Sequence, residues 1–474
     1  MIISARARSG APATKPATGR RTAVGIAIVL GAQLMLTLDT TVVNVALPRI
    51  ATGLNFGPAA LSWVLNAYTL AFGGLLLLGG RLGDVYGRLR VFEIGLAVFT
   101  LSSLLGGFAQ SPGWLVAARA AQGIGAALAA PGVLALVATS APDPAARNRA
   151  LALFSAVSMG GGTIGLLLGG LVTEAGSWRW TLLINVPIGI AILAFARRYV
   201  TETPRRHERF DVIGAVCAVG AAAAVVWAVI GAPDHGWTSA RTIGGLAVGT
   251  ILSAALAVTE LRIPHPMLRP ALLRSPQRLG GLAVMALAAA GQFSMFFLVV
   301  QYVQKIMDFN PVESGAAFLP TTLSIFAASR VAPRLVARFG QVPLLLVGTL
   351  GLSISFLWLS NVGTSSSYVL DVCLPMTLNG VSVGLIFMPV TSLVMLGVEA
   401  QHAGSASGLL QTAQQLGGSI GLAVIISVYA AGAVPGAFVP GLRPAFLTAA
   451  GLACTAFLVC ALLARSNRRP RSAA

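Results

Sequence analysis

Polar residues in this chain are bunched, and between the bunches lie apolar stretches of about twenty residues, too long for strands. As a helix, each can cross a hydrocarbon core of ~30 Å. Fourteen can be laid out, at roughly 23–48, 59–80, 90–109, 113–138, 150–174, 181–198, 211–231, 242–260, 279–302, 314–334, 341–360, 368–393, 404–430 and 443–464. The connections are short, so neighbouring helices should run antiparallel in one bundle. The predicted fold class is an all-α polytopic membrane protein, with nothing substantial left for a soluble domain.

Charge changes this picture by orienting it. Of the 32 Lys and Arg, 26 fall in alternate gaps, counting both tails, and five fall in the others: Arg49, Arg179, Arg241, Lys305 and Arg443. Arg119 alone lies inside a predicted span. The positive-inside rule then puts both termini and the basic gaps, including 81–90, 197–210 and 261–278, on the cytoplasmic side of a plasma membrane. A net charge of +18 would otherwise suggest nucleic-acid binding, but 56% hydrophobic residues and 10% charged leave no solvated basic face. A cleaved signal peptide is also disfavoured, because the first apolar run continues through Asp39 and Asn44 to Pro48 without a small-residue cleavage site. The four Cys (Cys217, Cys373, Cys454, Cys460) have no metal-ligand spacing, and no metal or other cofactor is expected. All four His fall in predicted loops, so a proton path through the bilayer would have to use carboxylates.

An internal repeat divides the chain. Arg81-Leu82-Gly83-Asp84-Val85-Tyr86-Gly87-Arg88 and Arg334-Leu335-Val336-Ala337-Arg338-Phe339-Gly340-Gln341 share an Arg-Leu start and an aromatic-Gly pair, both in expected cytoplasmic loops. Each joins the second and third helices of a six-helix set if spans seven and eight are set aside, a trace expected of transporters built from repeated halves. The expected organisation is a cytoplasmic tail at 1–22, a six-helix half at 23–198, two inserted helices with linkers at 199–278, a second six-helix half at 279–464, and a tail at 465–474. The inserted pair has almost no polar residue in its interior and should be a passive, lipid-facing structure.

Further motifs stand in order along the chain. Span one carries Leu38-Asp39-Thr40-Thr41-Val42-Val43-Asn44-Val45-Ala46-Leu47-Pro48, and Gly80 immediately precedes the first repeat copy, extending it to Gly80–Arg88. Span four carries Arg119-Ala120-Ala121-Gln122-Gly123-Ile124-Gly125, and span six begins with Trp178-Arg179-Trp180 and Asn185-Val186-Pro187. Span thirteen carries Gln415-Leu416-Gly417-Gly418. Together, over essentially the whole length, these resemble the major facilitator superfamily, specifically its fourteen-helix drug:proton antiporters. The resemblance implies alternating-access export of drugs or antibiotics, driven by the proton gradient. It also implies that Gly83, Asp84, Gly87 and Arg88 form a cytoplasmic gate, in which the acid meets the positive end of a neighbouring helix and Arg side chains reach across the half interface. Ala337 replaces that acid in the second copy, so the gate should be asymmetric. Gly161, Gly165, Gly169 and Gly170 permit close helix packing and resemble the antiporter motif of this superfamily, although Leu166 stands where that motif has Pro.

Within span one, Gln33, Thr37, Thr40 and Asn44 share one helix face, and Asp39 projects roughly 150° away from it. The acid and the hydroxyls should therefore meet different neighbours. Asp39 is the only carboxylate placed deep in a span; at ~1.5 Å per residue it lies ~14 Å from Pro48, with Arg119 ~9 Å from Gly113 in span four. A long Arg side chain covers that difference, and ionisable residues at such depth mark function. Asp39 is thus the expected proton carrier, with Arg119 tuning it and Gln122 able to complete the network; a purely structural ion pair is the alternative. Candidates for a substrate cavity are Gln33, Thr37, Thr40, Asn44, Asn66, Tyr68, Gln122, Asn185, Gln292, Asn379, Gln411 and Gln415. The rest of the interior is apolar, with Phe293, Met295, Phe296 and Phe297 clustered in span nine, which suits small lipophilic or cationic molecules. A monomer is expected. The competing readings are a same-fold transporter of a single metabolite and a non-transporting membrane receptor, the latter lacking any output domain here.

Overall fold

In hydrocarbon every backbone N–H and C=O needs an internal partner, so long apolar runs become continuous helices. The computed structural model describes residues 19–140, 144–202, 212–262, 275–396, 398, 403–433 and 438–468. They form fourteen long helices: α1 (Gly19–Leu54), α2 (Trp63–Tyr86), α3 (Arg88–Gly107), α4 (Pro112–Ser140), α5 (Pro144–Ala175), α6 (Asn185–Tyr199), α7 (Val212–His235), α8 (Ala240–Arg262), α9 (Pro276–Lys305), α10 (Leu319–Phe339), α11 (Gln341–Leu359), α12 (Leu374–Met395), α13 (Ala403–Ala431) and α14 (Leu442–Arg468). Short turns precede α6 and α10, and a π-helical segment, Tyr368–Cys373, leads into α12. Eleven helical stretches among the described residues are long and apolar enough to cross a bilayer. Of the rest, α5 and α7 offer shorter apolar stretches, and α10 carries Arg330, Arg334 and Arg338 on its last turns.

The expected loop at 81–88 is a correction. α2 runs on through Gly83 and Asp84 to Tyr86, and α3 starts at Arg88, leaving Gly87 as the whole connection. Gly87 has φ of 105°, its N–H closes on the Gly83 carbonyl, and its own carbonyl accepts from Val91. The second copy repeats this: Gly340, at φ 85°, separates α10 from α11. Only glycine takes that conformation without strain. The repeat seen in sequence is therefore a one-residue hinge between two helices.

The halves meet along α2 and α13, where Thr412 donates to the Gly73 carbonyl at 3.0 Å and Gly408 abuts Leu77, and also at the end opposite the start of α1. There one apolar core joins Val43, Leu47, Ile50 and Leu65 of the first half to Phe297, Val300 and Phe318 of the second. Gly170 of α5 abuts Pro311 and Val312, Gly315 abuts the Leu166 carbonyl, and Gln304 donates to the Val45 carbonyl at 3.0 Å. Toward the end where α1 begins, the first half has its own core of Val29, Met35, Phe92, Phe99, Val133 and Ile192, which no second-half residue enters.

The first helix of the inserted pair, α7, departs from the expectation of a lipid-facing structure. α7 packs against α2 and α13 at once, and Val226, Val229 and Ile230 form a cluster with Leu70 of α2 and Ala423 of α13. A side chain at Gly74 would meet Val219. α8 rests on α7, with Gly245 and Gly249 letting it close on Ala228 and Val225, and turns Ile243, Val248 and Ile251 outward. One face of α7 covers the α2–α13 seam while Val216 and Trp227 stay exposed, and lipid and protein ask for the same apolar residues.

Candidate functional site

α1 carries Asp39 at its middle, where the acid is 1% exposed. Arg119 of α4, also 1% exposed, donates from Nη1 to Asp39 Oδ2 at 2.6 Å, and from the same nitrogen to Gln122 Oε1 at 2.8 Å. Its Nε donates to the Val64 carbonyl of α2 at 3.1 Å, and its guanidinium lies 4.5 Å from the Tyr68 ring centroid. The other carboxylate oxygen accepts from Gln122 Nε2 at 3.2 Å and from Asn185 Nδ2 of α6 at 2.8 Å. Ser103 of α3 accepts from Gln122 at 2.5 Å and from Asn185 at 3.5 Å. Five helices of the first half thus close around one ion pair. Three donors on the carboxylate suit its ionised form, and dense hydrogen bonding is what a charge pair needs once removed from water.

Close packing makes this reach possible. Gly123 sits against the Tyr68 carbonyl, while Gly125 and Gly95 let α4 and α3 touch backbone to backbone. The second half uses the same device, with Gly380 against the Thr321 carbonyl and Gly348 against that of Ser382. Matching Gly123 to Gly380 sets Met376 opposite Arg119 and Asn379 opposite Gln122. Met376 is fully buried, and both polar atoms of Asn379 lack a protein partner. The Asp39–Arg119 pair therefore has no equivalent at the matching place, where the second half sets a buried thioether instead of a guanidinium.

Several cavity candidates belong elsewhere. Tyr68, Gln122 and Asn185 are sealed into the ion-pair shell, and Asn66 is buried where its Oδ1 accepts from Ser419 of α13 at 2.8 Å, tying the halves together. Asn379 is fully buried inside the second half. A polar residue inside a helix reveals that it has a polar neighbour, and periodicity does not say whether that neighbour is a helix or a cavity. Asn44 is nearly buried and donates to the Thr40 carbonyl at 2.8 Å, leaving its Oδ1 without a protein partner. Gln33, Thr37, Thr40, Gln292 and Gln415 are half-buried and Gln411 is exposed. Gln33 donates to Thr37 Oγ1 at 3.3 Å, Thr37 and Thr40 hydroxyls return to carbonyls of their own helix, and neither amide atom of Gln292 has a protein partner. Phe293 and Phe296 are half-buried beside them, whereas Met295 and Phe297 are core.

The glycine stripe of α5 faces α1. Gly161 meets the methyl and Cβ of Thr37, Gly165 meets Thr41 and the Leu38 carbonyl, and Gly169 meets Val42, so Thr37 and Thr41 pack on α5 while Asp39 faces α4 and α6. At the α2–α3 hinge, Arg88 Nε donates to Asp84 Oδ1 at 3.0 Å, an ion pair within the motif and not across the half interface. The acid that meets a helix N-terminus is Glu202, just past α6, whose carboxylate accepts from the backbone of Leu89 at 2.9 Å and Arg90 at 3.1 Å. Sequence reasoning misses Ser103, Ser419 and Glu202. A Ser inside a span and an acid after one carry no periodic signal, and each acts only through a distant partner.

The family model of the Major Facilitator Superfamily matches residues 29–422. The chain is 40% identical over 423 residues to the cephamycin export protein CmcT of Amycolatopsis lactamdurans, covering 88% of this chain and 87% of that protein. It is 37% identical over 455 residues to the puromycin resistance protein pur8 of Streptomyces alboniger, covering 93% and 90%. In structure it is similar to the POT family transporter PepTSo, with a TM-score of 0.72 at 15% identity over 95% of this chain and 99% of that one, a likeness of fold.

Proposed function

The chain belongs to the major facilitator superfamily, and from that premise we propose that it is an exporter of drugs or antibiotics powered by inward proton flow through Asp39. The observation that carries this reading is the buried Asp39–Arg119 pair with its shell of Gln122, Asn185, Ser103 and Tyr68. A charged pair costs desolvation inside a bundle and contributes little to stability over apolar packing, so its place at the centre of α1 supports a working role. The proton competes with Arg119 for the carboxylate: when Asp39 is protonated the ion pair is released, and α1 and α4 are free to shift relative to one another. That couples protonation to the closing and reopening of the half interface. Gln33, Thr37, Thr40, Gln292 and Gln411, with Phe293 and Phe296, supply the polar and aromatic contacts for a lipophilic or cationic substrate. The basic gaps support a plasma-membrane orientation with the start of α1 in the cytoplasm. The core shared by α1, α5 and α9 then lies toward the outer side.

Asp39→Asn should reach the membrane, bind drug and lose proton-driven export. In inverted vesicles, drug-dependent proton release by Asp39→Asn equal to wild type would move the coupling site elsewhere. A narrower reading, export of one compound, is favoured by the single antibiotics in the names of CmcT and pur8. Growth inhibition across unrelated compounds, in a pump-deficient host with and without a protonophore, separates breadth from narrowness.

A further inference from the structure

The outer wall of the first half carries a groove that the ion-pair site does not use. α1 lies between α5 and α6, and on its α6 side Val24, Ala27 and Gly31 face Ile188, Ala191 and Ile192 across a groove of about 610 Å³ lined only by apolar residues. Its depth comes from small side chains, Ala27, Gly31 and Ala191, set among branched ones. Gly25 closes on the Tyr199 carbonyl near the end where α1 begins, so the two helices hold a fixed register there. Both helices are long and apolar enough to cross a bilayer, and an exposed apolar face on such helices is one that lipid would cover. An apolar concavity gains dispersion contacts only from an apolar group that fills it, so the groove favours an apolar chain lying along it.

Its mouth is basic. Arg21 precedes Val24 by one turn of α1, and Arg198 follows Ala191 by two turns of α6, so each lies on the stripe that lines the groove. Both are exposed. Arg197, next in sequence, instead turns to Glu93 of α3 at 2.8 Å. From Arg21 to Gly31 the helix rises ~15 Å, half of a ~30 Å hydrocarbon core. The groove is therefore one leaflet deep, with cations at the headgroup level.

We propose that this groove binds an anionic diacyl phospholipid of the bilayer, its phosphate between Arg21 and Arg198 and one acyl chain along Val24 to Gly31. Basic residues at the membrane surface favour anionic headgroups, and the apolar floor holds the chain. The site is separate from the proton and drug path, and it fastens α1, the helix that carries Asp39, to α6, the helix that carries Asn185.

The test uses the whole chain in phosphatidylcholine vesicles containing phosphatidylglycerol with a diazirine midway along one acyl chain. After irradiation, adducts mapped by mass spectrometry should concentrate on residues 24–31 and 187–192. Unlabelled phosphatidylglycerol should compete and added phosphatidylcholine should not. Arg21→Gln with Arg198→Gln should lower groove adducts by roughly fivefold per guanidinium lost. Ala27→Trp, at an exposed position, should remove adducts on α6 while leaving those on α8 and α11 unchanged. Adducts spread evenly over α8, α11 and the groove, equal competition by phosphatidylcholine, or displacement by a lipophilic cation but not by phosphatidylglycerol would each overturn the proposal. The last would assign the groove to substrates.

Discussion

Three donors converge on the Asp39 carboxylate, and each comes from a different kind of sequence signal. Arg119 is legible because a lone cation deep in a span must find an anion at its own depth. Gln122 follows, being one turn along α4. Asn185 reads as polar in sequence but as a cavity residue, because the register between α1 and α6 is fixed by packing that no single helix encodes. Removing one member of a buried pair leaves the other charge uncompensated, at about 3–5 kcal/mol. Arg119→Ala should therefore lower thermal stability in detergent well below that of Asp39→Asn, whose amide oxygen can keep the one hydrogen bond to Arg119. Asp39→Leu combined with Arg119→Met imitates the uncharged second half, where Met376 is buried at the matching place. That double variant should recover most of the stability lost by Arg119→Ala while remaining inactive; if it melts as low as Arg119→Ala, the pair is itself a main source of stability.

Between elements, the informative positions are hinges and close approaches. The repeated Arg-Leu and aromatic-Gly signal marks Gly87 and Gly340, but not the anion that steadies the first hinge, since Glu202 lies 113 residues from Leu89. A carboxylate on two N–H groups at a helix start is worth about 0.5–2 kcal/mol. Glu202→Gln should speed hydrogen exchange at residues 88–92 while leaving the α4 amides around Arg119 unchanged. Gly87→Ala should be worse, because its φ of 105° resists a side chain and a Cβ would strike the Glu202 carboxylate. The placement of α7 escapes sequence reading for a physical reason: a run such as Gly220-Ala221-Ala222-Ala223-Ala224-Val225-Val226 reads the same against lipid and against helices. Cysteines at Gly74 and Val219, in a background without the four native ones, should form a disulfide rapidly with a mild oxidant; failure to cross-link would return α7 to the lipid.

At the scale of the whole molecule, fourteen helices and two halves are legible because hydropathy and charge act on long segments, where single-residue errors average out. How the halves meet is not, since the two ends use the same apolar residues. Orientation rests on the charge asymmetry: Tyr86→Cys, at an exposed hinge position, should react with a membrane-impermeant maleimide only in inverted vesicles. Labelling from outside intact cells would invert the topology. The two halves also differ in electrical character. On the proposed reading, with Asp39 carrying the proton and Met376 and Asn379 in the matching places of the other half, a cycle that admits one proton has a definite electrical signature. Export of a neutral drug then moves one positive charge inward and gains about 2.3 kcal/mol per 100 mV of membrane potential. Export of a monovalent cation moves no net charge, and only the pH difference remains to drive it. The same pump would thus lose its grip on neutral drugs when valinomycin and potassium collapse the potential, while continuing to clear cationic ones.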